Sequence, residues 1–293
     1  MKALAGAAVL VALAVWVGTD AVLDGLAAID AAAVLAALAV GLLTTLCAAG
    51  RWCLVARGLG VALPFGTAVA DTYRASFLNS VLPAGVLGDV HRAVRHGRDD
   101  GRGLRAVVLE RTAGQVVVVV AGLAVLLARP VLLGGLLPAL GLGLALLGTV
   151  GLVARRVPRL RALLGAAASD VRVLARRTGP AVVALSLTAL AGYLALFVVA
   201  ARAAGATAPV AELLPLLVLS LLAMVLPLNV GGWGPREAVG AVAFSAAGLG
   251  AAQGLTAAVV YGVLGMIACL PGLAVVLLAR APRPTAVPEP VPC

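Results

Sequence analysis

The sequence predicts an all-α, polytopic integral membrane protein with about six full transmembrane helices and two Pro/Gly-broken, re-entrant helical hairpins arranged as an inverted repeat. Of its 293 residues, 63% are hydrophobic and 12% are charged, and the mean hydropathy is +1.14. Soluble domains carry about 25% charged residues, so this chain has too few polar side chains to cover a surface exposed to water. The layout follows from a series of apolar runs flanked by arginines and from a repeated motif containing Pro and Gly.

Six apolar runs supply the predicted full spans, since a transmembrane helix needs about 20 apolar residues. They cover residues 3–18, 31–49, 106–128, 131–153, 180–201 and 254–279. Arginines mark the cytoplasmic side of a membrane, and seven of them fall in the predicted loop at 154–179. We therefore expect a multi-pass cell-membrane protein with both termini and this loop in the cytoplasm, the loop resting on anionic lipid.

Two further regions, at about 59–92 and 210–250, are partly apolar and are interrupted by Pro and Gly. Offset by 144 residues, the segments 76–92 and 220–236 are identical at eight of 17 positions. The matches include Pro83 with Pro227, Gly88 with Gly232 and Arg92 with Arg236. Because self-similarity at a fixed period is typical of repeats, the sequence predicts an internal duplication.

The duplication divides the chain into a first half at 1–128, a second half at 131–279 and a tail at 280–293. Each half then holds two spans, a re-entrant hairpin and a third span. An odd number of crossings inverts the second half relative to the first, as in many secondary transporters. The tail carries five prolines, so it cannot be helical and is expected to be disordered.

The predicted hairpin breaks indicate a polar cavity. Backbone that leaves helical geometry inside a membrane is tolerated only where it faces protein or water. The half-helix after each break presents unpaired N–H groups and the positive end of its dipole, which favour an anion such as phosphate. The residues expected to form the breaks are Pro83, Gly88, Pro227, Gly231 and Gly232.

Ionisable residues cluster in and beside the same segments. A charge at the centre of a bilayer costs about 2.5 kcal/mol or more, so residues retained there usually pair or bind something. The candidate substrate-binding residues are Asp71, Arg74, Asp89, Arg92, Glu110, Arg111, Arg236 and Glu237. An open alternative is that neighbouring opposite charges neutralise each other and only hold the hairpins together.

Several kinds of site are not expected. The net charge is +10, but the basic residues lie at the ends of apolar runs and aromatic residues make up only 3%, which excludes base stacking and nucleic-acid binding. The cysteines lack CxxC spacing, and His91 and His96 stand without a third ligand, so no metal is expected. We expect neither a cofactor nor a catalytic residue.

Four segments, in this order, resemble a known family. They are Arg51-Trp52 with Arg57, the LP-x4-GD-x2-R stretch at 82–92, the ERTAG stretch at 110–114, and the P-x3-GG-x-G-x-RE stretch at 227–237. Over about residues 5–280, the chain is similar to the lysylphosphatidylglycerol synthase transmembrane family, also called the flippase-like domain family.

The resemblance implies a membrane domain that handles lipid. In two-domain members of the family, this domain moves aminoacylated phosphatidylglycerol between leaflets after a soluble domain has made it. We expect the present chain to lack that soluble aminoacyltransferase domain. The positions onto which the resemblance carries a function are Arg92 with Asp89, Glu110 with Arg111, and Arg236 with Glu237.

The leading hypothesis is a flippase or scramblase-like transporter in which Arg92 and Arg236 hold the phosphate of an anionic lipid, because arginine binds phosphate in a planar, bidentate way. The sequence has no GxxxxGK[ST] loop for ATP, so uphill transport would use an ion gradient or the membrane potential. One alternative is an intramembrane enzyme on a lipid-linked phosphate, with Glu110, Asp89 or Glu237 as general acid or base. Another is a membrane subunit of a separate lipid-synthesising enzyme.

Overall fold

The computed structural model describes residues 25–81, 87–96, 101–130, 155–225 and 233–280, together with a few single positions between 132 and 153 and Leu23. Helices dominate this part of the chain, and it contains no β-strand. The predicted all-α class is therefore confirmed.

The described helices are numbered here in chain order. They are α1 (Ala31–Gly58), α2 (Phe65–Val81), α3 (Leu87–His96), α4 (Arg102–Ala128), α5 (Pro158–Arg177), α6 (Gly179–Ala203), α7 (Val210–Ala223), α8 (Pro235–Ala246), α9 (Ala251–Ala268) and α10 (Pro271–Arg280). Local signals fix several helix ends. The carboxylate of Asp30 caps α1 by accepting a 2.8 Å hydrogen bond from the Ala33 N–H, and prolines occupy the first turns of α5, α6 and α8, where the missing N–H costs no helical hydrogen bond.

Four segments of the described chain are long and apolar enough to cross a membrane. They are α1, α4, α6 and the stretch Ala251–Leu278, which joins α9 to most of α10. These coincide with the runs predicted at 31–49, 106–128, 180–201 and 254–279. The run at 3–18 and most of the run at 131–153 lie outside the described residues.

Each region predicted as a broken hairpin contains two helices that pack against each other. In the first, α2 packs on α3, and in the second, α7 packs on α8. The connections at 82–86 and 226–232, with Pro83, Pro227, Gly231 and Gly232, lie outside the described residues. Gly88 is described, and it lets α3 approach α2 closely, because a Cβ atom there would lie 2.3 Å from the Ala75 carbonyl oxygen.

The prediction of a loop at 154–179 is wrong, because most of this segment forms helix α5. Its arginines Arg161, Arg172, Arg176 and Arg177 are exposed, whereas Leu174 is buried. The Arg105 Nε atom lies 2.9 Å from the Asp170 Oδ2 atom, so an ion pair connects α5 with the start of α4. The density of arginines made this segment resemble a cytoplasmic loop.

The helix contacts occur in pairs that the 144-residue offset relates. Helices α1 and α6, which correspond under the offset, pack side by side. Contacts of α1 with α2, α4 and α9 have counterparts in contacts of α6 with α7, α9 and α4. Helix α2 also contacts α10, and α7 contacts α4. The long helices of the first half, α1 and α4, thus pack against those of the second half, α6 and α9.

Candidate functional site

A polar cavity of about 120 Å³ lies between helices of both halves. Helices α1 to α4 line it from the first half, and α6 and α9 line it from the second. Its polar lining residues are Thr44, Thr45, Arg51, Thr72, Ser76, Arg92, Glu110, Arg111, Tyr193 and Tyr261. A cavity with charged walls thus lies among these six helices.

The carboxylate of Glu110 connects three helices beside this cavity. Its side chain is 1% exposed. The Oε1 atom accepts hydrogen bonds from Arg51 Nη2 at 2.7 Å and Arg51 Nε at 3.3 Å, and the Oε2 atom accepts one from Arg92 Nη2 at 3.0 Å. One buried carboxylate therefore compensates part of the charge of two buried guanidinium groups.

The two arginines extend this network to further helices. Arg51 Nη1 donates to the Ser186 hydroxyl on α6 at 3.3 Å, and Arg92 Nη1 donates to the Thr72 hydroxyl on α2 at 3.3 Å. The Arg92 guanidinium also stacks on the Trp52 ring, 4.2 Å from its centroid, an arrangement in which the aromatic face attracts the cation. Arg92 is thereby held in position on several sides.

Arg111 is held more loosely than the other arginines of the cavity. Its Nη2 atom lies 2.7 Å from the Asp89 Oδ2 atom, and 46% of its side chain is exposed. The Asn79 side chain supports Asp89 by donating to Oδ2 at 2.9 Å, and its own oxygen accepts the Gly88 N–H at 2.8 Å. Asn79 thus joins the two arms of the first hairpin and orients the carboxylate that meets Arg111.

Arg236 and Glu237 form a separate buried cluster in the second hairpin. Glu237 Oε2 accepts the Gly234 N–H at 2.6 Å, and its Oε1 atom accepts from Arg236 Nε at 2.9 Å and also contacts Arg236 Nη2. The guanidinium lies 5.4 Å from the Trp233 ring centroid and 5.0 Å from that of Tyr261. Neither charged residue lines the cavity, but Tyr261 does, so its ring connects the two sites.

The predicted residues therefore fall into three groups. Arg92, Glu110 and Arg111 line the cavity and Asp89 contacts Arg111, whereas Arg236 and Glu237 lie beyond Tyr261. Asp71 and Arg74 form an i,i+3 ion pair of 3.1 Å on α2, and neither lines the cavity, although their neighbour Thr72 does.

Sequence reasoning missed several residues of the site. Arg51 carried a signal, because it belongs to the first of the family motifs, but it was not among the candidate substrate-binding residues. Ser186, Tyr193 and Tyr261 carried none, because isolated hydroxyl residues in apolar helices have many roles. His91, for which the sequence offers no third metal ligand, is exposed.

Other donor sets are sparse in the part of the chain that the structure describes. There, no group of three or more His, Cys, Asp or Glu residues is placed to hold a metal ion. Cys47, Cys53 and Cys269 are free thiols, and Cys269 lies at the cavity wall.

Membrane-length apolar helices around an internal, arginine-lined cavity define a multi-pass α-helical membrane protein. The family model for the lysylphosphatidylglycerol synthase TM region matches residues 3–272, and the chain belongs to this family. The resemblance inferred from the sequence motifs is confirmed. No curated protein and no solved structure matches the chain.

Proposed function

We propose that the protein is a flippase or scramblase-like transporter that moves an anionic, phosphate-bearing lipid between the leaflets of the cell membrane. The observation that carries the proposal is the half-exposed side chain of Arg111 at a polar cavity lined by both halves. In this site the lipid headgroup crosses the membrane region while the acyl chains stay in the surrounding lipid. The family to which the chain belongs supports a lipid as the ligand.

The cavity provides the headgroup with hydrogen-bond donors, which the interior of the bilayer lacks. A phosphate in hydrocarbon has no hydrogen-bond donors, and an arginine can supply two that are parallel and charge-assisted. Arg111 makes the first contact with the headgroup: its guanidinium leaves Asp89 and binds the phosphate instead. Arg92 can bind the phosphate only if it breaks its hydrogen bond to Thr72 or to Glu110. We therefore assign Arg92 mainly to positioning the other side chains of the site.

The paired helix contacts support the mechanism. Two inverted halves that meet at one site expose it to alternate sides when one half rocks against the other. In this motion α1 slides against α9, and α6 slides against α4, since these helix pairs form contacts between the two halves. Arg236 and Glu237 fix the start of α8, and Tyr261 relays a movement of that helix to the cavity. The proposal gives no residue a catalytic role, and it places both termini in the cytoplasm.

Reconstitution tests the proposal. The purified protein in vesicles should accelerate transbilayer movement of fluorescent phosphatidylglycerol relative to vesicles without protein. Arg111→Gln should slow this movement about tenfold or more, since a hydrogen bond to a charged group contributes about 1.5–3 kcal/mol.

The matched control is Arg57→Gln, because Arg57 is exposed near the end of α1 and does not line the cavity. This variant should keep the wild-type rate. Equal rates in wild type, Arg111→Gln and protein-free vesicles, from protein shown to be folded, would reject transport.

A further inference from the structure

We infer that Asp89 is a carboxylate switch that controls how Arg111 binds and releases the headgroup. When a lipid phosphate binds Arg111, the Asp89 carboxylate exchanges its ion pair with Arg111 for one with Arg92. When the carboxylate returns to Arg111, it displaces the phosphate. This inference rests on the proposed function and gives Asp89 a positioning role, because the carboxylate acts on the headgroup through Arg111.

Two buried atoms of opposite charge lie close together without a hydrogen bond. The Asp89 Oδ1 atom is 3.9 Å from the Arg92 Nε atom, and among the described residues neither atom has a hydrogen-bond partner. A buried donor or acceptor without a partner is costly. A movement of the carboxylate by about 1 Å would bring the two atoms to hydrogen-bond distance. The Asp89 carboxylate therefore has a second arginine within reach.

The neighbouring contacts indicate that the carboxylate moves and that Arg92 stays in place. Hydrogen bonds to Thr72 and Glu110 hold the Arg92 guanidinium. The Asp89 Oδ2 atom accepts a 2.9 Å hydrogen bond from the Asn79 side chain. In the switch, Oδ2 keeps this bond while Oδ1 turns toward Arg92 Nε. Asn79 is thus the pivot about which the carboxylate turns.

The exchange lowers the cost of binding a phosphate at Arg111. The Arg111 Nη2 atom lies 2.7 Å from the Asp89 Oδ2 atom, and the Asp89 side chain is only 17% exposed. A phosphate must displace this carboxylate, and a largely buried carboxylate that loses its cation is strongly unfavourable. Arg92 supplies a new cation for it through a donor that has no other partner among the described residues.

The reverse movement allows the headgroup to leave. A transport site must bind its ligand weakly enough to release it. Because Asp89 competes with the phosphate for Arg111, it lowers the affinity of the site and speeds release. A site without this competitor should bind the lipid more tightly and turn over more slowly.

The kinetics of Asp89→Asn in proteoliposomes test the switch. The amide keeps the shape of the side chain but removes the negative charge that competes for Arg111. The fraction of fluorescent phosphatidylglycerol that gives the half-maximal rate should fall about tenfold, because more of the protein is free to bind it. The maximal rate should also fall, because release is slower. An unchanged or higher half-maximal fraction would overturn the inference.

The matched control is Asp30→Asn, which makes the same chemical change at the exposed N-cap of α1. Asparagine and aspartate are about equally good N-caps, so this variant should keep both wild-type kinetic values.

Infrared difference spectroscopy of the wild-type protein gives a readout that needs no variant. With isotope-labelled aspartate, addition of phosphatidylglycerol should shift an aspartate carboxylate band, because Asp89 stays ionised and changes its partner. An unchanged aspartate spectrum, or a new band of a protonated carboxyl group, would overturn the exchange and leave transport standing. Movement of no phosphatidylglycerol by the wild-type protein would instead reject the proposed function.

Discussion

At Glu110, one buried carboxylate holds the guanidiniums of Arg51 and Arg92 on two other helices. Burial of charge is costly, and removing one member of such a network leaves the others uncompensated. Glu110 was predictable as a site residue because a charge inside an apolar run needs a partner. Its actual partners were not, since Arg51 is 59 residues away and only the packing of α1 on α4 brings them together.

Glu110→Gln should destabilise the fold strongly. The amide keeps the size of the side chain but cannot neutralise two buried cations, so we expect a loss of about 3–5 kcal/mol. Arg111→Gln should cost much less, about 1 kcal/mol or below, because the Arg111 side chain is 46% exposed and exposed ion pairs contribute little. Thermal unfolding in detergent measures both variants, and equal midpoints would contradict the central position of Glu110.

At the scale of helices, close packing within the hairpins depends on small residues. A Cβ atom at Gly88 would lie 2.3 Å from the Ala75 carbonyl oxygen and 2.5 Å from its Cα atom. The presence of two helices in each of these regions was predictable from the interrupted apolar pattern, whereas their re-entrant course remains a prediction. Helix α5 was not recognised, because its arginines were interpreted as marks of a cytoplasmic loop.

Gly88→Ala should loosen the first hairpin, because the backbone of α2 must move to admit a methyl group. Overpacking of this kind costs about 1–3 kcal/mol. The control is Gly66→Ala, since a Cβ atom at Gly66 meets nothing within 4 Å. Thermal unfolding in detergent should show a lower midpoint for Gly88→Ala alone. A wild-type midpoint for this variant would show that the two arms do not pack as described.

At the scale of the whole molecule, the two halves meet along α1 and α6, and helices of both halves line the cavity. The class of protein and the four described spans followed from hydropathy, because an apolar run of membrane length has few other uses. Which arginines line the cavity could not be predicted from the sequence. Arg92 and Arg236 are equivalent in the duplicated motif, yet only Arg92 lines the cavity. The inverted repeat remains a prediction that the paired helix contacts support.

The most direct measurement is the transport rate of phosphatidylglycerol in vesicles after the cavity has been filled. Gly265 lines the cavity, and a Cβ atom there meets nothing within 4 Å, so Gly265→Phe can extend into this space. Gly66→Phe is the control, because it adds the same ring at an exposed position of α2. Transport should fall at least tenfold in Gly265→Phe and stay at the wild-type rate in Gly66→Phe. Undiminished transport by folded Gly265→Phe protein would contradict passage of the headgroup through this cavity.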